Sequence, residues 1–197
     1  MDNQTSSNQE GVTFKLLPEF EPFRKIPRLN RDIVITEKLD GTNASIMVTD
    51  EGEIYAGKRT SWCTPEKDNY GFAKWVYANK DELIKLGPGR HFGEWWGNGI
   101  QRNYGLAEKR FSLFNVERYG VNRPTNCHVV PVLYRGPFDG DAIKRCVDQL
   151  RTSGSLAVPG WMKPEGIVVF HSASSSLYKV TCENDEKPKG QGDSNAQ

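Results

Sequence analysis

The sequence has no CxxC pair and no zinc-type Cys/His spacing; its four cysteines, Cys63, Cys127, Cys146 and Cys182, are scattered. A disulfide framework and a zinc site are thereby set aside, and a reducing cytoplasm is the simpler reading, a host's if the source is viral. His91, His128 and His171 are distant from one another, which argues against a histidine metal site or a catalytic triad. No run approaches transmembrane length and the N-terminus has no apolar signal core, so a soluble intracellular protein with no membrane partner is expected. No GxxxxGK phosphate loop occurs, and no internal repeat. No charge of one sign dominates: 26 Lys and Arg stand against 25 Asp and Glu. That balance removes a global basic field as a sign of nucleic acid, while leaving room for a local basic groove.

What is present suits one domain with tails. The chain has 197 residues and five tryptophans. Residues 1–10 and 184–197 are polar and read as flexible tails around a domain at 11–183. Ile33 to Lys38 reads as a strand, and "NASIMVTDEGEIYAGKRT" as a hairpin turning at Asp50-Glu51-Gly52. A first helix is expected in "CTPEKDNYGFAKWVYANKDELIKLGPG", with Thr64 as N-cap, Pro65 at its first helical position and Phe72, Trp75, Val76 and Asn79 at helical spacing. "RHFGEWWG", "RFSLFNVERY" and "VVPVLYRGPF" each read as a strand, with Pro131 marking an edge or a strand start. A second helix, "DGDAIKRCVDQLRTSG", carries an apolar stripe of Ile143, Cys146, Val147 and Leu150 and ends near Gly154. "EGIVVF" and "LYKVTC" are the last strands, joined by the serine-rich "HSASSS". Strands outnumber helices without alternating with them, which predicts an α+β domain of antiparallel sheets flanked by helices.

The chemistry centres on "EKLDGTN", residues 37–43. A lysine is a nucleophile only when unprotonated, which burial or a nearby cation favours and carboxylates oppose. Lys38 stands at the end of an apolar strand, and Gly41 would let a ligand approach the backbone. The bland alternative is a strand-end lysine followed by an Asp-Gly turn; K-x-D-G arises by chance in roughly one chain of this length in forty. Other segments bear on the choice. "EKLDGTN", "AGKRT", "FGEWWG", "FSLFNVERY", "PEGIVV" and "LYKVT" occur in that order. Together they resemble the motifs of the covalent nucleotidyltransferases, in particular the RNA-ligase branch that includes bacteriophage RNA ligases and trypanosome editing ligases.

The resemblance runs from about Ile33 to Thr181 and implies an ATP-grasp-like nucleotidyltransferase ligase domain. It implies that Lys38 attacks the α-phosphate of ATP and carries AMP, that Glu37 helps select adenine, and that Asp40 and Gly41 shape the nucleotide loop. Asn43 would lie near the reacting phosphate or a nucleic-acid end, Arg59 against phosphate, and Glu94 against ribose hydroxyls. Phe114 would stack on adenine, Glu165 would help hold Mg²⁺ (or Mn²⁺), and Lys179 would meet the α-phosphate. Each taken singly has an ordinary structural explanation: Phe114 in a core, Glu94 on a solvent-facing strand, Arg59 and Lys179 as solvated cations. The order of the segments is what favours the reactive lysine. The implied activity is ATP-dependent joining of RNA 5′-phosphate and 3′-hydroxyl ends; nicked DNA as acceptor, and a nucleotide- or RNA-end-binding module without turnover, are the alternatives.

Two positions depart from the family pattern. Thr181 stands where a second lysine is usual in the last motif, and Asn115 where an acid often follows the aromatic. Lys187 or Lys189 would stand in for that lysine if the tail folds back. Little sequence follows Lys179 to build a second domain, so a stand-alone domain is expected, with nucleic acid gripped by its own surface or by a partner protein. Arg102, Tyr104, Lys109 and Arg110, in what reads as a long polar loop after the third motif, are candidates for phosphate contact and base stacking.

Overall fold

The computed structural model describes residues 19–185. The proposed N-terminal tail, and residues 186–197 with Lys187 and Lys189, lie outside the described residues. Two sheets carry the architecture. Strand β1 (Asp32–Lys38) belongs to the first, and β2 (Thr42–Val48), β3 (Ile54–Lys58) and β4 (Trp62–Cys63) to the second. Helices α1 (Phe72–Ala78) and α2 (Lys80–Leu83) and a 3₁₀ turn (Ile84–Leu86) precede β5 (Gly89–Gly97) and β6 (Lys109–Leu113). A short α3 (Val116–Tyr119), β7 (Cys127–Val129), β8 (Val132–Pro137), α4 (Gly140–Ser153), β9 (Gly166–His171) and β10 (Ser176–Thr181) complete the order. The four-stranded sheet runs β10-β9-β1-β8 and the six-stranded sheet β4-β3-β2-β5-β6-β7. All pairings are antiparallel except β6 with β7. The fold class is α+β, as the strand-rich pattern predicts.

Each sheet buries one face under a helix. In β1, Ile33 and Ile35 alternate inward and pack with Ile167, Val169, Cys146, Val147 and Leu150, the last three from α4. Helix α4 begins as predicted: the Asp139 side chain accepts from the Asp141 amide at 2.8 Å, and Gly154 ends the helix at φ 81°. Ala44, Ile46, Trp95, Phe111 and Leu113 of the larger sheet pack against Phe72, Ala73 and Val76 of α1. A third cluster, Leu39, Trp96, Tyr104, Val116 and Val130 with Val34 and Trp161 against it, joins the two sheets.

Three element readings change. The first helix starts at Phe72, and Thr64 caps a turn instead: its hydroxyl accepts from the Lys67 amide at 3.3 Å. Tyr70 and Gly71 take left-handed φ of 54° and 83°, which breaks any helix running through them. Asp68 caps α1 from a distance, its carboxylate accepting from the Ala73 and Lys74 amides. "RFSLFNVERY" stops being a strand at Leu113, because the Asn115 side chain accepts from the Arg118 amide at 3.0 Å and opens α3. Asn115 is therefore a helix cap here. "VVPVLYRGPF" is two segments in two sheets, β7 and β8, divided by Pro131. Proline has no N–H for a ladder, and its carbonyl accepts from the Glu37 amide at 2.9 Å. β8 is an edge strand, as Pro131 predicts.

Candidate active site

The chain crosses from the small sheet to the large one at Leu39-Asp40-Gly41, between the end of β1 and the start of β2. Lys38 ends β1 in one sheet and Thr42-Asn43 begin β2 in the other, so residues distant in sequence converge at this crossing. The Lys38 Nζ lies 2.6 Å from Glu165 Oε2, with the lysine side chain 23% exposed and the glutamate 5%. Glu165 immediately precedes β9, whose Gly166 pairs with Lys38.

On the facing sheet Asn43, Glu94 and Ser112 lie in one cross-strand row. Glu94 Oε1 accepts from the Gly41 amide at 3.1 Å, and Oε2 from Asn43 Nδ2 at 3.4 Å. Gly41 is there for packing: a Cβ would fall 2.4 Å from the Trp95 carbonyl oxygen and 2.6 Å from the Trp96 Cβ. The close approach it permits is to β5, which draws Glu94 onto the loop after Lys38. Burial raises the Glu94 pKa to about 7, with Glu165 and Asp40 adding to the rise; Lys38 and the Gly41 amide oppose it.

That value has a stability consequence. A carboxyl whose folded pKa lies above its ordinary 4.5 contributes stability fully present below about pH 4.5 and lost as pH rises through about 7. Glu94→Gln retains an acceptor for Gly41 and carries no charge. The variant is expected to be more stable than wild type at pH 8 by about 1–3 kcal/mol, at about 1.4 kcal/mol per pKa unit. The difference should shrink below pH 5. Thermal denaturation across this range measures it, and identical pH profiles would contradict the assignment.

Asp40 is fixed by two groups from the loop after β5. Tyr104 Oη accepts from the Asp40 amide at 2.9 Å, and Arg102 Nε donates to Asp40 Oδ2 at 3.0 Å. The reading of Tyr104 as a base-stacking surface residue is therefore corrected. Tyr104 is 1% exposed, packed edge-on to Trp96 at 4.8 Å between ring centroids, and burial raises its pKa. Nor is the loop simply a surface segment: Ile100 within it is fully buried. Arg102 also donates to the Lys163 carbonyl, so it ties the loop to the site. Lys109 and Arg110 alternate to opposite faces of β6. Lys109 donates to the Tyr70 carbonyl at 2.8 Å beside α1, while Arg110 pairs with Glu108 and sits 5.9 Å from the Trp96 ring. The four residues do not form one surface.

Glu37 points away from Lys38, onto the α4 side of β1. Its carboxylate accepts from the Leu156 and Ala157 amides at 2.8 and 3.0 Å and from the Ser155 hydroxyl. Burial raises its pKa against those three hydrogen bonds. The structure thus gives this side chain a loop to hold. The remaining expected residues lie around the crossing. Arg59 is exposed in the turn after β3, one step beyond the Ala44–Lys58 pair and so level with Asn43. Phe114 is 40% exposed just past β6, its amide bonded to the Phe92 carbonyl. Lys179 lies exposed on edge strand β10, on the Lys38 face of the sheet, paired through Val168 with the level of Thr36. Thr181 occupies the level of Lys38 itself, across Gly166. Its Oγ1 lies 2.8 Å from the Glu183 carbonyl and 3.1 Å from the Asp185 carboxylate.

The family model for RNA ligase matches residues 31–181. The chain belongs to the RNA ligase family. No curated protein matches it. Its fold is similar to that of a Naegleria gruberi RNA ligase, seen as a point mutant with ATP and Mn (TM-score 0.58, 20% identity, covering 79% of this chain and 51% of that one). It is also similar to a second point mutant of that enzyme in its apo form (TM-score 0.57, 19% identity, covering 78% and 50%). The chain spans about half the length of these ligases. Membership of the family agrees with the arrangement of the fold: segments scattered from Ile33 to Thr181 close on one crossing between two sheets. The sequence reading missed the Ser155–Ala157 cradle, the Tyr104 bond to the Asp40 amide and the Arg102–Asp40 pair. An aromatic inside a glycine- and asparagine-rich loop was the available signal for Tyr104; for the cradle there was none. Among the described residues no helix is long and apolar enough to cross a membrane, and all four cysteines are free and buried.

Proposed function

We propose that this RNA ligase family member joins RNA ends at the expense of ATP, through AMP carried on Lys38. The observation that carries the reading is the Lys38–Glu165 pair set opposite Glu94 at the sheet crossing. A lysine already engaged at 2.6 Å by a carboxylate is held in place, and attack requires that pair to open and the ammonium to lose its proton. Lys38 Nζ then forms a P–N bond to the α-phosphorus as the bond to pyrophosphate breaks. AMP passes to an RNA 5′-phosphate, and a 3′-hydroxyl displaces it to leave a phosphodiester. Positioning and charge neutralisation govern such displacements.

Phe114, half exposed beside the Glu94 row, is suited to stack on adenine, and Glu94 to accept from the ribose hydroxyls. Arg59 and Lys179 are the cations placed to meet phosphate, with Asn43 and the Asp40-Gly41 loop beside them. Among the described residues no three His, Cys, Asp or Glu side chains form a group that could hold a metal by themselves. One buried carboxylate, Glu165, fits the way Mg²⁺ or Mn²⁺ is usually held, by one or two carboxylates with substrate phosphates and water completing the shell. Such a cation supplies positive charge to the phosphates. The Naegleria enzyme's structures with ATP and Mn support this choice.

Incubation with α-labelled ATP and Mg²⁺ should label the protein, and pyrophosphate should remove the label. Sealing of matched nicked RNA and nicked DNA should favour RNA; preferential DNA sealing would move the acceptor assignment to DNA. Thr181 supports a second reading, a nucleotide- and RNA-end-binding module without turnover, because its hydroxyl is engaged locally and brings no cation level with Lys38. ATP binding with no transfer to protein would favour that reading.

A further inference from the structure

Among the described residues, the face of the six-stranded sheet turned away from α1 is covered by the third core cluster only near Trp96. Along β2, β3, β4 and the first half of β5 no described residue packs over it as a core cluster, and large aromatics stand on it. By strand alternation Tyr55, Trp62, Arg90 and Phe92 all project there, with Tyr55, Trp62 and Phe92 46%, 54% and 53% exposed. These side chains are mutually arranged. Trp62 lies over Gly57, where a Cβ would come within 3.2 Å of the indole ring. Tyr55 is 6.1 Å from Trp62 between ring centroids. The Arg90 guanidinium bridges Trp62 and Phe92, 5.1 and 5.0 Å from their ring centres, and Nε donates to Ser45 Oγ at 3.1 Å. The row ends at the site: the Phe92 carbonyl receives the Phe114 amide, and Glu94 follows two residues along β5.

The composition selects the occupant. Flat exposed rings interleaved with an arginine match the π-faces of unpaired bases and a phosphate backbone. Within these strands the ionisable groups on the face are Arg90 and, at the site, Glu94, with Arg59 at the adjoining turn. A duplex hides its base faces, and an apolar protein surface would bury Arg90 without a carboxylate. We propose that Tyr55, Trp62, Arg90 and Phe92 form a stacking platform for single-stranded RNA running into the Lys38 site. The proposal rests on the RNA ligase reading above and adds where the substrate strand lies.

The test uses the full chain and a fluorescein-labelled single-stranded RNA oligonucleotide. Trp62→Ala is expected to lower affinity by about tenfold, and Tyr55→Ala/Trp62→Ala by more, within the range for stacked bases. Trp62 is the most exposed tryptophan, so Trp62→Phe should largely keep affinity while removing RNA quenching of intrinsic fluorescence. AMP transfer from ATP to Lys38, measured on the same variants, should stay within about twofold of wild type, as these residues lie outside the nucleotide site. Blunt duplex RNA should bind wild type and Trp62→Ala equally. Unchanged single-strand affinity in both alanine variants overturns the platform, as does an equal loss for duplex. Retained RNA affinity with an altered oligomeric state would assign the face to a protein and overturn it too. A wild-type chain that takes up no AMP, together with an affinity loss in the alanine variants, defeats the lysyl-AMP reading and leaves the platform standing.

Discussion

Lys38→Arg should leave a folded chain that takes up no AMP. Arginine can keep the contact with Glu165, but a guanidinium is not deprotonated under working conditions and offers no free nitrogen lone pair. Labelling from α-labelled ATP should fall to background while thermal stability stays near wild type. Lys38→Ala should lose labelling equally and also lose stability. It strands Glu165, 5% exposed, without its cation. Removing one partner of a fully buried pair costs about 3–5 kcal/mol. Lys38 is 23% exposed, so solvent screening brings the expectation to about 1–3 kcal/mol. The two variants together separate chemistry from folding. Labelling that survives in Lys38→Arg would remove Lys38 as the nucleophile.

The second large effect concerns Glu37, and it is an effect on folding. Glu37→Ala removes the buried acceptor of the part-buried Leu156 and Ala157 amides and of the buried Ser155 hydroxyl. Buried donors left without partners cost about 1–3 kcal/mol each, partly relieved by water entering the space. A loss of about 3 kcal/mol is expected from urea denaturation. Labelling per folded molecule should fall much less than in Lys38→Arg, since the carboxylate faces away from the nucleophile. A Glu37→Ala chain with wild-type stability and a selective loss of preference for ATP over GTP would instead make Glu37 a base-selecting group.

These two neighbours show what was legible in the sequence and what was not. The place of Lys38 at a strand end beside the crossing was legible because its surroundings are local: an apolar strand of period two, then charge, then Asp-Gly, followed by further segments in a recognisable order. Glu37 sat in the same segment and was assigned to the nucleotide. Its partners lie 118 to 120 residues away, in a loop whose sequence does not announce a carboxylate cradle. Helix α4 was read correctly from its own stripe and from Gly154 at its end; the structure adds Asp139 as its cap. Helix α1 was started too early because its cap, Asp68, acts across two left-handed residues that pattern alone does not reveal. Tyr104 was assigned to base stacking because its loop reads as long and polar. The ring is instead enclosed by Trp96 and Trp161, from other segments of the chain. Motif order pointed to the crossing between the sheets, and tertiary contacts decide which members of each motif face it.

The central claim is that Lys38 carries AMP. The most direct measurement is the intact mass of the purified chain after incubation with ATP and Mg²⁺, with peptide mapping of any adduct. The account predicts a mass gain of one AMP, located on Lys38 and removed by pyrophosphate. A chain that binds ATP under these conditions and keeps its unmodified mass, or that carries AMP on a residue other than Lys38, would contradict it.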